Sequence, residues 1–516
     1  MLKDFSDPLF SLIKSLSASE KRQFSLYAGR MGGKSERKFE HLFKILSKQK
    51  NYDELEILSK TSITKQQLSN VKAHLYKQIL VSLRLNPSQQ NIPLQLREQL
   101  DFSYILYRKG LYKQALKLLD KTKVSAMEYE EKNIAFEVLD LEKIIESQYI
   151  TRSLAHRADD LVTQTEELSF LNVIAGKLSN LSLQLYNIFL KMGYARTQEE
   201  AREITAFFEK NLPAYDYQQL SFREKLWLYQ SYLWYNFITQ DFLSCYRYAS
   251  KWVDLFYENS TLIQVHPVFF IKGNHYLLEA LFYLNNVHVF ESALQKFEKN
   301  IIDQRIPKDK NISALSFMYL YFNKLNLRFM KGKFANGDIL VEEILQGIEV
   351  YKNTIDEHHI MVLYYKIASL YFGDDNYTKC IEFLQKIIQN KSLEMREDLM
   401  CFSRILNLVA HYEAGLDYQL DKLIRSTYRF LIKMNDLHEV QKEMIKFLRH
   451  LPNVYPSDIK AEFKKLRDQL KVYEEHPFER RAFLYLDIIS WLESNFENRP
   501  VAEIIKEKFN EKKRFG

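Results

Sequence analysis

The residues predict an all-α protein, a solenoid of antiparallel helix hairpins repeating about every 43 residues behind a small N-terminal helical domain. Three observations lead there. Only 13 Gly and 10 Pro occur among 516 residues, too few for a turn-rich β fold. Apolar residues recur at three- and four-residue steps, the spacing of one helix face. A triplet of aromatic, small and apolar residues also returns at a nearly constant interval. Hydrophobic residues make up 46% of the chain and aromatics 14%, enough for a large core and against disorder.

Residues 1–86 read as a basic N-terminal helical domain. They hold 16 Lys or Arg against 8 Asp or Glu, a balance of +8, so the rest of the +7 chain sums to −1. Such a segment could attract nucleic acid, an acidic protein or a membrane surface, or simply be a solvated helical face. Ser17 with Glu20, and Thr64 with Gln67, have the capping-box spacing that opens a helix. After the second box, Leu68, Val71, Leu75, Ile79 and Leu83 fall along one face. The polar, proline-bearing stretch from Asn86 to Pro93 marks a boundary.

Residues 94–450 are the repeat array. Its five clear triplets are Tyr112-Ala115-Leu119, Phe242-Cys245-Ala249, Phe290-Ala293-Phe297, Phe334-Gly337-Val341 and Tyr377-Cys380-Leu384. A small residue lets two helices of a hairpin approach closely, and the larger residues fill the space beside it. Weaker anchors at Ala158, Ala201 and Leu420 complete a series of eight, spaced by 43, 43, 44, 48, 44, 43 and 40 residues. Gly110 and Gly332 stand two residues before the aromatic of their copies, where a chain leaving one helix for the next needs positive φ.

The order in Gly110-Leu-Tyr112-Lys-Gln-Ala115, followed by Leu119, resembles the tetratricopeptide repeat. So does Ala368-Ser-Leu-Tyr371 leading into Tyr377, Cys380 and Leu384. The likeness extends over residues 94–440, with units longer than the family's ~34 residues. It implies a right-handed α-α superhelix and, as a family tendency, a protein or peptide ligand on a concave surface. Residues 451–516 are expected to form a C-terminal helical cap, broken by Pro452, Pro456, Pro477 and Pro500. Phe483, Tyr485, Leu486, Ile489 and Trp491 make one piece strongly apolar, and the basic tail from Lys506 is expected to be solvated and frayed.

Few residues suggest chemistry. Ala28 to Ser35 ends in Gly-Lys-Ser like a phosphate-binding loop, but it follows a charged amphipathic helix rather than a strand and reads as a turn. The 12 histidines show no helical metal-ligand spacing, and His358 and His359 face different directions. Cys245, Cys380 and Cys401 are far apart, which fits a reducing compartment, and the first two occupy small-anchor positions. The longest aromatic-rich uncharged run, Leu226 to Gln240, has 15 residues, short of the ~20 a membrane helix needs. These features lead us to expect a cytoplasmic protein that is not an enzyme, binds no cofactor, metal or membrane, and takes a protein or peptide ligand.

Two segments are candidates for binding. Twelve aromatics lie between Trp227 and Tyr257, and Trp227, Tyr232, Trp234 and Tyr235 could line a groove, with core packing as the alternative. The helices at about 53–60 and 64–85 could form a DNA-reading pair, offering Lys65, Gln66, Ser69, Asn70, Lys72 and Lys77 to phosphates and bases. In that alternative the protein would be similar to bacterial peptide-responsive transcription factors built on divergent tetratricopeptide arrays.

Overall fold

The computed structural model describes residues 7–515 except 32–33, 87–90, 149–155, 304, 391–396, 434–438, 475, 477–482 and 484–486. Among the described residues there are 25 α-helices and no strand. The chain divides into two compact units, residues 1–126 with 140–151, and residues 127–139 with 152–516.

The first unit contains α1 (Pro8–Ser15), α2 (Ala18–Met31), α3 (Lys34–Lys48), α4 (Glu54–Lys60), α5 (Lys65–Arg84), α6 (Ile92–Arg108), most of α7 (Tyr112–Glu128) and the end of α8 (Lys132–Gln148). Both expected caps are present. The Ser17 amide donates to Glu20 Oε2 at 2.6 Å and the Glu20 amide to Ser17 Oγ at 3.2 Å. Gln67 Oε1 accepts more loosely from the Thr64 amide at 3.5 Å. Leu68, Leu75 and Ile79 of α5 are buried with Ile13, Leu42 and Ile57. The unit continues past the proline-marked break, with Arg84 and Asp101 paired at 2.7 Å on either side of it. Lys123 on α7 holds the fully buried Glu142 of α8 at 2.8 Å.

The second unit begins with the first half of α8 and then α9 (Arg157–Met192), α10 (Gln198–Asn211), α11 (Phe222–Ile238), α12 (Phe242–Glu258), α13 (Leu262–Val265), α14 (Pro267–Tyr283), α15 (Val287–Ile302) and α16 (Lys310–Met330). There follow α17 (Asp338–Tyr351), α18 (Glu357–Gly373), α19 (Tyr377–Ile388), α20 (Glu397–Glu413), α21 (Asp417–Lys433), α22 (Glu439–His450), α23 (Ile459–Lys471), α24 (Ile488–Glu497) and α25 (Val501–Phe515). Neighbours in sequence pack together, and alternate helices also meet: α9 with α11, α14 with α16, α16 with α18, and α18 with α20. No described helix is long and apolar enough to cross a membrane.

One turn geometry recurs. Gly110, Gln240, Asn285, Gly332, Asp375 and Gly415 all have positive φ. In each turn that residue's N–H bonds the carbonyl three positions back, and the next N–H bonds the carbonyl five positions back. The last carbonyls of one helix are thereby satisfied before the next begins. Of the expected small anchors, Ala115, Cys245 and Cys380 are fully buried. Burial pushes both of these thiols up, as expected for cysteines used as packing groups. Gly337 lies where a Cβ would come within 2.6 Å of Leu370 Cδ2.

The structure departs from the expected spacing at Ala158, which is exposed in the first turn of α9. There a single 36-residue helix runs without a break. Its sequence has no proline, and Gly176 sits in open space within it. The tail is also corrected. From Lys506 the chain stays helical to Phe515, because Val501 and Ile504 are buried and Lys508 pairs with Glu493 at 2.7 Å. In the apolar C-terminal piece Tyr485 and Leu486 lie outside the described residues, while Trp491 is fully buried and donates to Glu413 at 2.5 Å.

A buried ion cluster ties α8 to α11. Lys132 Nζ lies 2.5 Å from Glu224 and 3.0 Å from Glu130, and Ser221 Oγ donates to Glu224 at 2.8 Å. Burial alone would push the Glu224 carboxyl up, but Lys132, joined by Ser221 and Arg223, outweighs it and the net shift is downward.

Candidate functional site

Alternate helices of the second unit each turn a stripe of side chains toward one cavity of about 1440 Å³. On α14 the stripe includes Lys272, His275, Tyr276, Glu279 and Tyr283, at the spacing of one helical face. Leu315, Tyr319, Phe322 and Asn326 do the same on α16, and His359, Val362, Lys366 and Ser369 on α18. Tyr186 on α9 and Trp234 on α11 extend the lining at one end.

The rings touch from helix to helix. Tyr186 lies 4.8 Å from Trp234, and Trp234 meets Tyr276 edge-on at 5.2 Å. His275, 5.2 Å from Tyr276, stacks on Tyr319 at 4.1 Å, and His359 closes the series edge-on to Tyr319 at 6.5 Å. Five helices therefore share one aromatic floor. Trp234, Tyr276 and Tyr319 are only 5%, 8% and 5% exposed, so they support the floor from beneath. The more open positions are Tyr186, Lys272, His275, Leu315, Val362 and Lys366.

Charged groups break this apolar surface at a few points. Lys366 Nζ donates to Asn326 Oδ1 at 2.6 Å and lies 5.8 Å and 6.0 Å from the ring centres of Phe282 and Phe322. Burial lowers its pKa to about 8, with Glu279 acting in the opposite direction. Burial likewise lowers Lys272. His275 is pushed down to about 3, by burial first and then by the charges of His359, Lys366 and Lys272. Asn323 Nδ2 sits 3.5 Å from its Nδ1 and Glu279 Oε2 3.5 Å from its Nε2, which suits a neutral ring protonated at Nε2. Burial would raise Asp356, but the contact from His359 outweighs it and holds the carboxyl at about 2.

Of the four aromatics proposed from the sequence, the cavity takes Trp234. Trp227 is edge-on to Phe269 at 5.2 Å and is not part of the lining. Tyr232 stacks on Tyr248 of α12 at 4.4 Å, and Tyr235 stacks on Phe208 of α10 at 4.4 Å. Offsets of two and one residue from Trp234 rotate these two rings to other sides of α11, where they serve as packing groups.

In the first unit Lys65, Gln66, Ser69, Asn70 and Lys77 are exposed along α5. Lys72 is not offered outward. Its Nζ is bound by Asp7 and by Tyr52 Oη at 3.0 Å. The Gly-Lys-Ser stretch joins α2 to α3, with residues 32–33 outside those described, so a helix and not a strand precedes it. No group of three or more His, Cys, Asp or Glu able to hold a metal ion occurs among the described residues.

The sequence reading missed Lys272, His275, Tyr319 and Lys366. Each lies on an ordinary amphipathic stripe, and only the stacking of alternate helices brings them together. Compared with known proteins, the chain matches no family model, no curated protein and no solved structure.

Proposed function

We propose that the second unit is a binding array, not an enzyme, and that its aromatic-floored groove takes a peptide or a segment of a partner protein. In this reading the helix pairs stack as a tetratricopeptide-like right-handed superhelix. The alternating contacts and the repeated turn support that arrangement. The observation that carries the function is the ring series from Tyr186 to His359, shared by five helices and lining a single cavity. Fixed aromatics give large contact area at small entropic cost, and such residues dominate measured binding energies. At about 1440 Å³ the cavity exceeds the ~300–1,000 Å³ usual for small-molecule sites, which favours a chain segment. Three separated, buried cysteines fit a cytoplasmic setting.

The test is selection of a random peptide library on the full chain, followed by affinity measurements on Tyr186→Ala. Tyr186 is 36% exposed, so its removal leaves the core in place. Selected peptides should lose roughly ten-fold or more in affinity on the variant. Recovery of no binder, or of binders indifferent to Tyr186, would count against the groove.

A further inference from the structure

The groove's floor holds two ammonium groups that no carboxylate among the described residues contacts directly. Lys272 is half-buried in the lining and has no hydrogen-bond or ion-pair partner among the described residues. Lys366 has only a neutral direct partner, the side-chain carbonyl of Asn326. His275, three residues after Lys272 on the same face of α14, lies 6.3 Å from Phe322, whose ring centre is 6.0 Å from Lys366 Nζ, so both lysines stand beside it. The two carboxylates on this floor contact other groups and neither lysine directly. Glu279 accepts from Tyr283 Oη at 3.1 Å and faces His275, and Asp356 is held by His359.

Two ammonium groups partly withdrawn from water with no carboxylate in contact are costly unless something negative joins them. The C-terminal part of the lining does not supply it as an ion pair. Glu493 there is taken by Lys508 at 2.7 Å and by Arg467 at 3.2 Å. That part of the lining carries Glu474, Asp487, Glu493 and Glu511 against Lys471 and Lys508, so the floor lysines are the cations left for an anion to meet.

We infer that Lys272 and Lys366 form an anion-receiving subsite, and that the groove's ligand is a peptide presenting a carboxylate beside a bulky apolar residue. The apolar neighbour follows from Phe282 and Phe322, whose rings flank the Lys366 ammonium. A carboxylate settled there replaces the water contacts both lysines lost with charge-assisted hydrogen bonds, while the adjacent side chain covers the rings. This inference rests on the groove being a peptide site, and the experiment separates the two.

A peptide selected on the full chain is synthesised in three forms: with its acidic residues intact, with them changed to Asn or Gln, and with its C-terminus amidated. Each is titrated by fluorescence anisotropy against wild type, Lys272→Gln, Lys366→Gln and the Tyr186→Ala control. The expected result is a loss of roughly ten-fold or more on neutralising one peptide carboxylate, with the side-chain and terminal forms showing which one. Either lysine variant should weaken the acidic peptide by a similar factor and leave the neutral form unchanged. Unchanged binding of the neutral form also shows that the variants are folded. Groove-dependent peptides that are neutral or basic, or that ignore both lysine variants, would overturn the subsite while leaving the groove. Absence of any Tyr186-dependent binder would remove both.

Discussion

At the scale of single residues the tightest constraint is Lys132, almost completely buried among Glu130, Ser221 and Glu224. Removing one partner of such a cluster leaves the other charge buried and unpaired, which costs more than the pair itself contributes. Lys132→Met should therefore destabilise the second unit by roughly 3–5 kcal/mol, read as an earlier urea midpoint of tryptophan fluorescence. The double change Lys132→Met with Glu224→Leu should recover much of that loss. A single variant as stable as wild type would contradict this view of the cluster. Nothing in Glu130-Glu-Lys-Asn133 marks the lysine as buried. A charge run normally reads as a solvated face, and only the arrival of α11, about 90 residues later, encloses it. Cys245 and Cys380 were legible for the opposite reason, since their role depends on neighbours three and four residues away.

Among elements, the helix-to-helix turn is the best determined unit. Gly110 and Gly332 were visible in advance, but Gln240, Asn285 and Asp375 adopt the same positive φ without being glycine. Their hydrogen-bond pattern makes the turn, and residue type alone does not reveal it. Gly332 carries a second duty. A Cβ there would lie 2.8 Å from the Lys506 amide and 2.9 Å from the Ala502 carbonyl, both on the backbone of α25. Gly332→Ala should strain the turn and lift α25 from its seat, at a cost above about 1 kcal/mol. Hydrogen exchange should then accelerate across residues 501–511 and stay unchanged in α11 and α12. Equal protection in α25 of both proteins would show that the close approach is not needed. The long α9 escaped the sequence reading because a step of 43 residues passes over it, and periodic spacing cannot tell one helix from two when no turn signal intervenes.

Across the whole chain, the all-α class followed from scarce Gly and Pro and from three- and four-residue spacing, both averages over many residues. The cavity was legible only in part. Trp234 is the sequence candidate that falls in the cavity lining, but Tyr186, His275, Tyr319 and Lys366 come from helices up to 180 residues apart in the chain, and local spacing holds no record of which stripes face one another. If these stripes together make a ligand site, a bound peptide must cover them. Hydroxyl-radical footprinting of the full chain with and without a selected peptide reads that cover residue by residue. Protection is predicted at Tyr186, His275, Leu315 and Val362, the open positions of the floor, with no change at the exposed Tyr76 and Tyr418. Protection at Tyr76 on α5, or an unchanged footprint at the four floor positions while peptide is bound, would contradict it.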